Sequence, residues 1–452
     1  MTKPVLGMVL CVSAISPSLL ARQTPAAVQT TAQAAKIDGS TPTACLASLR
    51  DYVARRQAEA KDMPPSPTLA RQLDAERALI ANDCAARFDV NIVADRELGS
   101  LATLALDGGQ LGQAKAAVER ALPLKTLAPT DRAATLVVAL SVIRRTEPPE
   151  DRDARRERMY PRLEQIVAEL DSLPASMDQR FDAHRLMLGA YRGDDIDAGI
   201  ITHATWTIDA ARTLSPAERQ KAGYALIAPY VDMAEAWAGQ GMTDKALDLL
   251  RAGEDALTDI PHAAEVIRPE IARLELVGQA GKPITAPQWL NVPTGIHEMD
   301  MPGTVTLLEF TAHWCGPCRE SYPGINRLRA QFASRGFRVV LATQFWGYFS
   351  KDGKTERPLA PEIELERDRA YFADFHLDVP VAIGDQVHPK IVGGQLQYDP
   401  APNPNDTNYR VGGIPQIQII DRKGIIRRLI VGYDSANEGR LVELIESLLK
   451  EK

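Results

Sequence analysis

The run Trp314-Cys315-Gly316-Pro317-Cys318 follows directly on the aliphatic and β-branched stretch 305–310, which reads as a strand. Pro317 is suited to the first turn of a helix, so two thiols stand where a strand meets a helix. Cysteines at this spacing serve dithiol–disulfide chemistry or supply half of a zinc site. Zinc needs four ligands, and no second close Cys/His pair follows. The redox reading is therefore carried forward, and neither a metal nor an organic cofactor is expected.

At 452 residues the chain is too long for one ordinary core, and it is expected to form several domains. With 45% apolar and 25% charged residues it reads as globular. The formal net charge is -7, with both signs interspersed, so there is no basic surplus for nucleic acid.

Residues 1–40 read as an export signal and polar leader: Lys3, an apolar core from 5 to 21, then a stretch containing Ala32-Gln33-Ala34 as a cleavage site. Ser16-Pro17-Ser18 interrupts the apolar core, which leaves a disordered leader as the alternative. A lipid anchor on Cys11 fits poorly, because Leu10 stands where a small residue is expected. No other segment reaches the roughly 20 apolar residues that cross a bilayer. The expected location is periplasmic, with the leader cleaved or retained as a membrane anchor. Loss of the leader removes Cys11 and leaves four cysteines, Cys45, Cys84, Cys315 and Cys318. If the last two pair, Cys45 and Cys84 form a structural disulfide or stand as separate buried thiols.

Residues 41–280 are rich in Ala, Leu, Glu, Arg and Asp, with apolar residues at helical spacing. Stretches 101–122 and 233–250 resemble each other as helix, Gly turn, helix. Gly109 and Gly241 fall at the turns, and Ala114 and Ala246 fall where the two helices approach. This is the pattern of a degenerate, tetratricopeptide-like hairpin array, offering a concave surface to a partner protein or serving as a spacer. Gly281-Lys282-Pro283 ends it. From 281 to 452 strands are expected at 304–310, 336–343, 379–383, 416–421 and 425–433. Helices are expected at 317–334, 362–375 and 437–449, the last capped by Ser435 with Glu438. The fold class is thus an all-α hairpin array followed by an α/β domain with a central mixed sheet flanked by helices.

The region 281–452 resembles the exported thioredoxin-like proteins of the TlpA/ResA family. The resemblance rests on Gly281-Lys282-Pro283, Leu307-Leu308-Glu309-Phe310, Trp314-Cys315-Gly316-Pro317-Cys318, Gly412-Gly413-Ile414-Pro415 and Ile419-Ile420-Asp421-Arg422-Lys423-Gly424, in that order. At a helix N-terminus Cys315 faces unpaired N–H groups and the positive end of the helix dipole, which favour thiolate, so it is expected to be the nucleophile. Cys318, one turn deeper, is expected to resolve the mixed disulfide. The resemblance implies that Glu309 assists proton transfer at the resolving cysteine, although thioredoxins usually carry Asp there. It implies that Gly413, Ile414 and Pro415 form a cis-proline loop that receives an extended substrate, and that Trp314 covers the site. His313 is expected to point to solvent. Segments 351–361 and 386–409, with Trp346 and Tyr348, exceed what a minimal thioredoxin needs and either shape a substrate groove or decorate the surface.

These features point to an exported thiol:disulfide oxidoreductase that reduces disulfide-containing proteins and is recharged by a membrane electron donor. The Gly316-Pro317 dipeptide is of the kind found in reducing members. The alternatives are an isomerase or oxidase, or a scaffold or metallochaperone in which the helical array binds a partner and the thioredoxin-like part docks. Arg319 stands after Cys318 where a haem-attachment motif needs His, so a c-type cytochrome is not indicated.

Overall fold

The structure, a computed structural model, describes residues 37–60, 67–146, 152–194, 196–351, 354–386, 388–392, 395–399, 403–433 and 435–451. The expected leader up to residue 36, with Cys11, lies outside the described residues. None of the helices among the described residues is long and apolar enough to cross a membrane.

The chain divides into two compact units at residues 190 and 191. The first is built from α1 (Pro42–Ala60), α2 (Pro67–Ala85), α3 (Leu98–Asp107), α4 (Leu111–Ala121), α5 (Pro129–Thr146), α6 (Tyr160–Ser172) and most of α7 (Met177–Gly193). Gly109 joins α3 to α4 with φ +76°, a left-handed conformation that a Cβ penalises, and Ala114 is fully buried just beyond. Cys45 on α1 and Cys84 on α2 are disulfide-bonded with Cα atoms 6.2 Å apart, and both are fully buried.

The second unit opens with α8 (Asp197–Ala211), α9 (Pro216–Ala222), α10 (Ala228–Gly239), α11 (Thr243–Ala256) and α12 (Ala263–Leu274). The turn between α10 and α11 again uses a left-handed glycine, Gly241, with Ala246 fully buried behind it. Helix gives way to strand near residue 280, but compactness changes 90 residues earlier. Backbone hydrogen bonds explain the difference: the N–H of Gly278 reaches Ile426 C=O, the N–H of Ile426 reaches Gln279 C=O, and the N–H of Gly281 reaches Gly424 C=O.

A mixed sheet follows. Its strands are β2 (Gln288–Leu290), β4 (Val305–Phe310), β5 (Phe337–Gln344), β8 (Val381–Gly384), β11 (Gln416–Ile420) and β12 (Ile426–Val431), in the order β12-β11-β4-β5-β8-β2. Strands β4, β5 and β8 run parallel, whereas β11 is antiparallel to β4 and β12, and β2 is antiparallel to β8. Short pairs fill the intervals: β1 (Ile284–Thr285) with β3 (Glu298–Met299), β6 (Phe349–Lys351) with β7 (Lys354–Glu356), and β9 (His388–Val392) with β10 (Gln395–Asp399). Helix α13 (Gly316–Phe332) connects β4 to β5, α14 (Pro361–Asp374) connects β5 to β8, α15 (Pro404–Asn408) precedes β11, and α16 (Ser435–Lys450) ends the chain. A β4–α13–β5 unit and a β11–β12–α16 unit sharing one mixed sheet make the thioredoxin fold.

Every residue of β4 is buried, because both faces of the sheet are covered. On one face Val305, Leu307, Leu341, Ile417 and Ile419 pack under Tyr322, Ile325 and Leu328 of α13 and Leu441, Ile445 and Leu448 of α16. On the other Leu308, Phe310, Val340 and Ile420 pack with Ile284, Met301 and Tyr409. Each fully buried Leu, Ile or Phe contributes about 1.5–3 kcal/mol to this core. The Glu438 carboxylate of the last helix accepts from Arg327 and from the Tyr433 hydroxyl, and the side chain of Ser435, the expected cap, lies outside what the structure describes.

Candidate active site

Strand β4 ends at Phe310, and five residues later Cys315 caps α13. Cys315 has extended backbone (φ −77°, ψ 105°), and its Sγ accepts the Cys318 N–H at 3.1 Å. Gly316 and Pro317 begin the helix, and Pro317 needs no partner for an N–H it lacks. The two sulfurs are bonded, with Cα atoms 5.3 Å apart. Cys315 is 3% exposed and Cys318 is fully buried, so of the pair only Cys315 reaches the surface.

Alternation along β4 puts Glu309 on the same face as Val305 and Leu307, beneath α13, opposite Leu341 and Ile417. It is fully buried. Ser321 Oγ lies 2.7 Å from the Cys318 carbonyl and 3.1 and 3.2 Å from the two Glu309 oxygens. A hydroxyl has one hydrogen, and the short contact to the carbonyl can use no other. The Glu309 contact is then best made by a hydrogen on the carboxyl itself. Burial agrees: it pushes the Glu309 pKa up to about 8, against the smaller opposing effects of Ser321 and Thr311.

The segment Gly413-Ile414-Pro415 enters β11 at the end where Gln416 pairs with Phe310, the end of β4 nearest the cysteines. The Ile414–Pro415 peptide is cis, and Ile414 packs against the cluster that holds Cys315 and Cys318. Trp314 is 38% exposed and meets Trp346 edge-on, ring centroids 5.1 Å apart.

His313 departs from the expectation of a solvent-facing ring. It is 2% exposed, stacked on Phe349 with centroids 4.8 Å apart, and its Nδ1 accepts the Ser350 N–H at 3.3 Å. The β6–β7 hairpin, which the sequence shows only as extra length, closes over it. Burial pushes its pKa down to about 4, so the ring is neutral at pH 7 and supplies no cation to the cysteines.

Three further residues escaped the sequence reading. Ser321 stands three residues after Cys318, one helical turn on, which puts it on the same face. Glu364 and Asp368 lie on α14 at the spacing of its buried Tyr371 and Phe372, so helical periodicity places both acids inward. Glu364 accepts the N–H groups of Trp346 and Gly347 at 2.7 and 2.8 Å. Burial pushes the Asp368 pKa up to about 8, helped by the Glu364 charge.

No family model matches the chain. The thioredoxin-like protein YneN of Bacillus subtilis (strain 168) is 26% identical over 139 residues, 31% of this chain and 63% of that protein. A thiol-disulfide isomerase from Corynebacterium glutamicum is 20% identical, with 39% of this chain and 98% of that one covered and a TM-score of 0.27. A thiol:disulfide interchange protein of the thioredoxin family from Chlorobium tepidum TLS is 20% identical, with 37% and 97% covered and a TM-score of 0.24. The fold assignment rests on the sheet order and its connections.

Proposed function

We propose that the protein is an exported thiol:disulfide oxidoreductase of the TlpA/ResA kind that reduces disulfides in client proteins. The observation that carries this is the Cys315–Cys318 pair at the start of α13, with the outer sulfur accepting a helix N–H, the inner cysteine fully buried, and its carbonyl on the Ser321 hydroxyl that also meets the buried Glu309. In the reduced protein the Cys315 thiolate attacks one client sulfur. The client S–S bond breaks, a mixed disulfide forms, and the departing thiolate takes a proton. Cys318 then passes its proton to Glu309 and attacks Cys315 Sγ, which releases the second client sulfur as a thiolate that water protonates. Two electrons have moved to the client, and the protein is left with the Cys315–Cys318 disulfide.

Recharging needs a dithiol donor, for which a membrane protein is the natural source in an oxidising compartment. There Glu309, which holds a proton at neutral pH in the oxidised state, returns it to Cys318 as that sulfur leaves. The buried Cys45–Cys84 disulfide is the supporting sign of export, since such bonds persist outside the reducing cytosol. The tetratricopeptide-like hairpins before residue 280 are read as the surface that docks a client or partner protein.

The test is the reduction potential of the Cys315–Cys318 pair, from equilibration in thiol buffers and trapping of free thiols. A value near or below about -250 mV is expected for a reductase, and one above about -180 mV reassigns the protein as oxidase or isomerase. A pair that never titrates overturns the redox reading in favour of a scaffold.

A further inference from the structure

Between β5 and α14 the chain makes an excursion, residues 345–360, that dithiol exchange by itself does not require. Its second residue, Trp346, lies edge-on to Trp314, which immediately precedes Cys315 and is the exposed aromatic of the site. The excursion is held from beneath by buried groups. Glu364, fully buried on α14, uses one carboxyl oxygen for the Trp346 N–H (2.7 Å) and the other for the Gly347 N–H (2.8 Å). His313 accepts the Ser350 N–H, stacks on Phe349 and meets Tyr348 edge-on. Burying a carboxyl group is costly, and here it serves to fix the two amides at the root of a surface element.

What these groups fix is an aromatic surface beside the sulfur that a client must reach. Trp346 Nε1 is enclosed and without a hydrogen bond, so the half-buried indole offers hydrocarbon and ring face to whatever docks there, with no donor to reward a polar group. We propose that Trp346 and Trp314 form an apolar wall that seats a large aliphatic or aromatic side chain adjacent to the cysteine of an extended client segment, and that Glu364 is the positioning residue of that wall. The inference rests on the oxidoreductase reading and adds a substrate class to it. Selection comes from binding: a seated apolar neighbour lowers the concentration of client needed, while the sulfur exchange itself is unchanged.

The full-length protein, reduced with a small dithiol that is then removed, is mixed with either of two peptides closed by an internal disulfide. They are identical except for Leu or Ser beside the attacked cysteine. Two electrons pass from Cys315 and Cys318 to the peptide, and tryptophan fluorescence follows their reoxidation. The wild-type protein is expected to favour the Leu peptide roughly tenfold in the second-order rate constant, through half-saturation and not through the maximal rate. Trp346→Ala brings the two peptides within about twofold of each other, and Trp346→Phe keeps most of the preference, which excludes misfolding as the cause. Glu364→Gln replaces one acceptor with a donor facing an N–H and narrows the preference without changing the maximal rate. Equal treatment of the peptides by the wild-type protein, or a preference that survives Trp346→Ala, overturns the wall. If the wild-type protein reduces neither peptide nor 2-hydroxyethyl disulfide, the oxidoreductase reading fails and the wall falls with it. Reduction of the small disulfide together with equal rates on the peptides sinks the wall alone.

Discussion

Replacing Glu309 by glutamine keeps the shape of the side chain and its reach to Ser321 but removes a titrating group. The native carboxyl holds its proton up to a pKa of about 8, whereas in the unfolded chain it releases it near the ordinary value of 4.5. Between those values the folded state binds more protons than the unfolded state, so stability falls as pH rises. The stabilising contribution is complete below about pH 4.5 and lost as pH passes through about 8. The slope from this one group approaches 1.4 kcal/mol per pH unit, or about 4–5 kcal/mol across the window. Asp368, also raised to about 8, contributes to both proteins and cancels in the difference. All five tryptophans of the chain, Trp206, Trp237, Trp289, Trp314 and Trp346, lie beyond residue 190, so their fluorescence reports the unit that contains Glu309. Urea unfolding of the oxidised proteins from pH 5 to 9 is the assay. The Glu309→Gln protein should gain on the wild type by about 1 kcal/mol per pH unit up to pH 8 and then run level. Parallel curves with a constant offset would mean that Glu309 is ionised in the native protein, and would refute its assignment as the proton carrier in the oxidised state.

Cys318→Ser should leave Cys315 able to attack but not to resolve, so clients accumulate as mixed disulfides that gel electrophoresis without reductant detects and dithiothreitol releases; no trapped species would count against Cys315 as nucleophile. The Cys45–Cys84 bond closes a sequence separation of 39, and replacing both residues by alanine should cost the first unit about 4 kcal/mol, read as a lower unfolding midpoint under non-reducing conditions. Gly324→Ala sets two effects against each other: alanine favours the helix by about 1 kcal/mol, but its Cβ would fall 1.9 Å from the Tyr433 hydroxyl, which donates to Glu438. The overlap should win by about 1–3 kcal/mol, and a stabilised variant would show that Tyr433 moves aside freely.

Local pattern was enough to read what local physics decides. Apolar spacing marked the helices before residue 280, glycines marked the hairpin turns at Gly109 and Gly241, and Trp314 to Cys318 marked the strand-to-helix junction. The class of chemistry follows from those residues because helix termini and cysteine spacing act over a few residues. Other features depend on which surfaces come together. Nothing around His313 in the chain shows that Phe349 and Ser350, some three dozen residues on, will cover it and hold it neutral. The three-residue strand β2 is not among the strands expected from the sequence and becomes one only by pairing with β8. Glu364 and Asp368 are ordinary helix residues until α14 turns them inward, and Cys45 and Cys84 are only two thiols until α1 and α2 bring them to bonding distance. Burial and long-range pairing set the charge of an acid, the state of a thiol and the wall beside a sulfur, and these are properties of the folded neighbourhood that one-dimensional order does not contain.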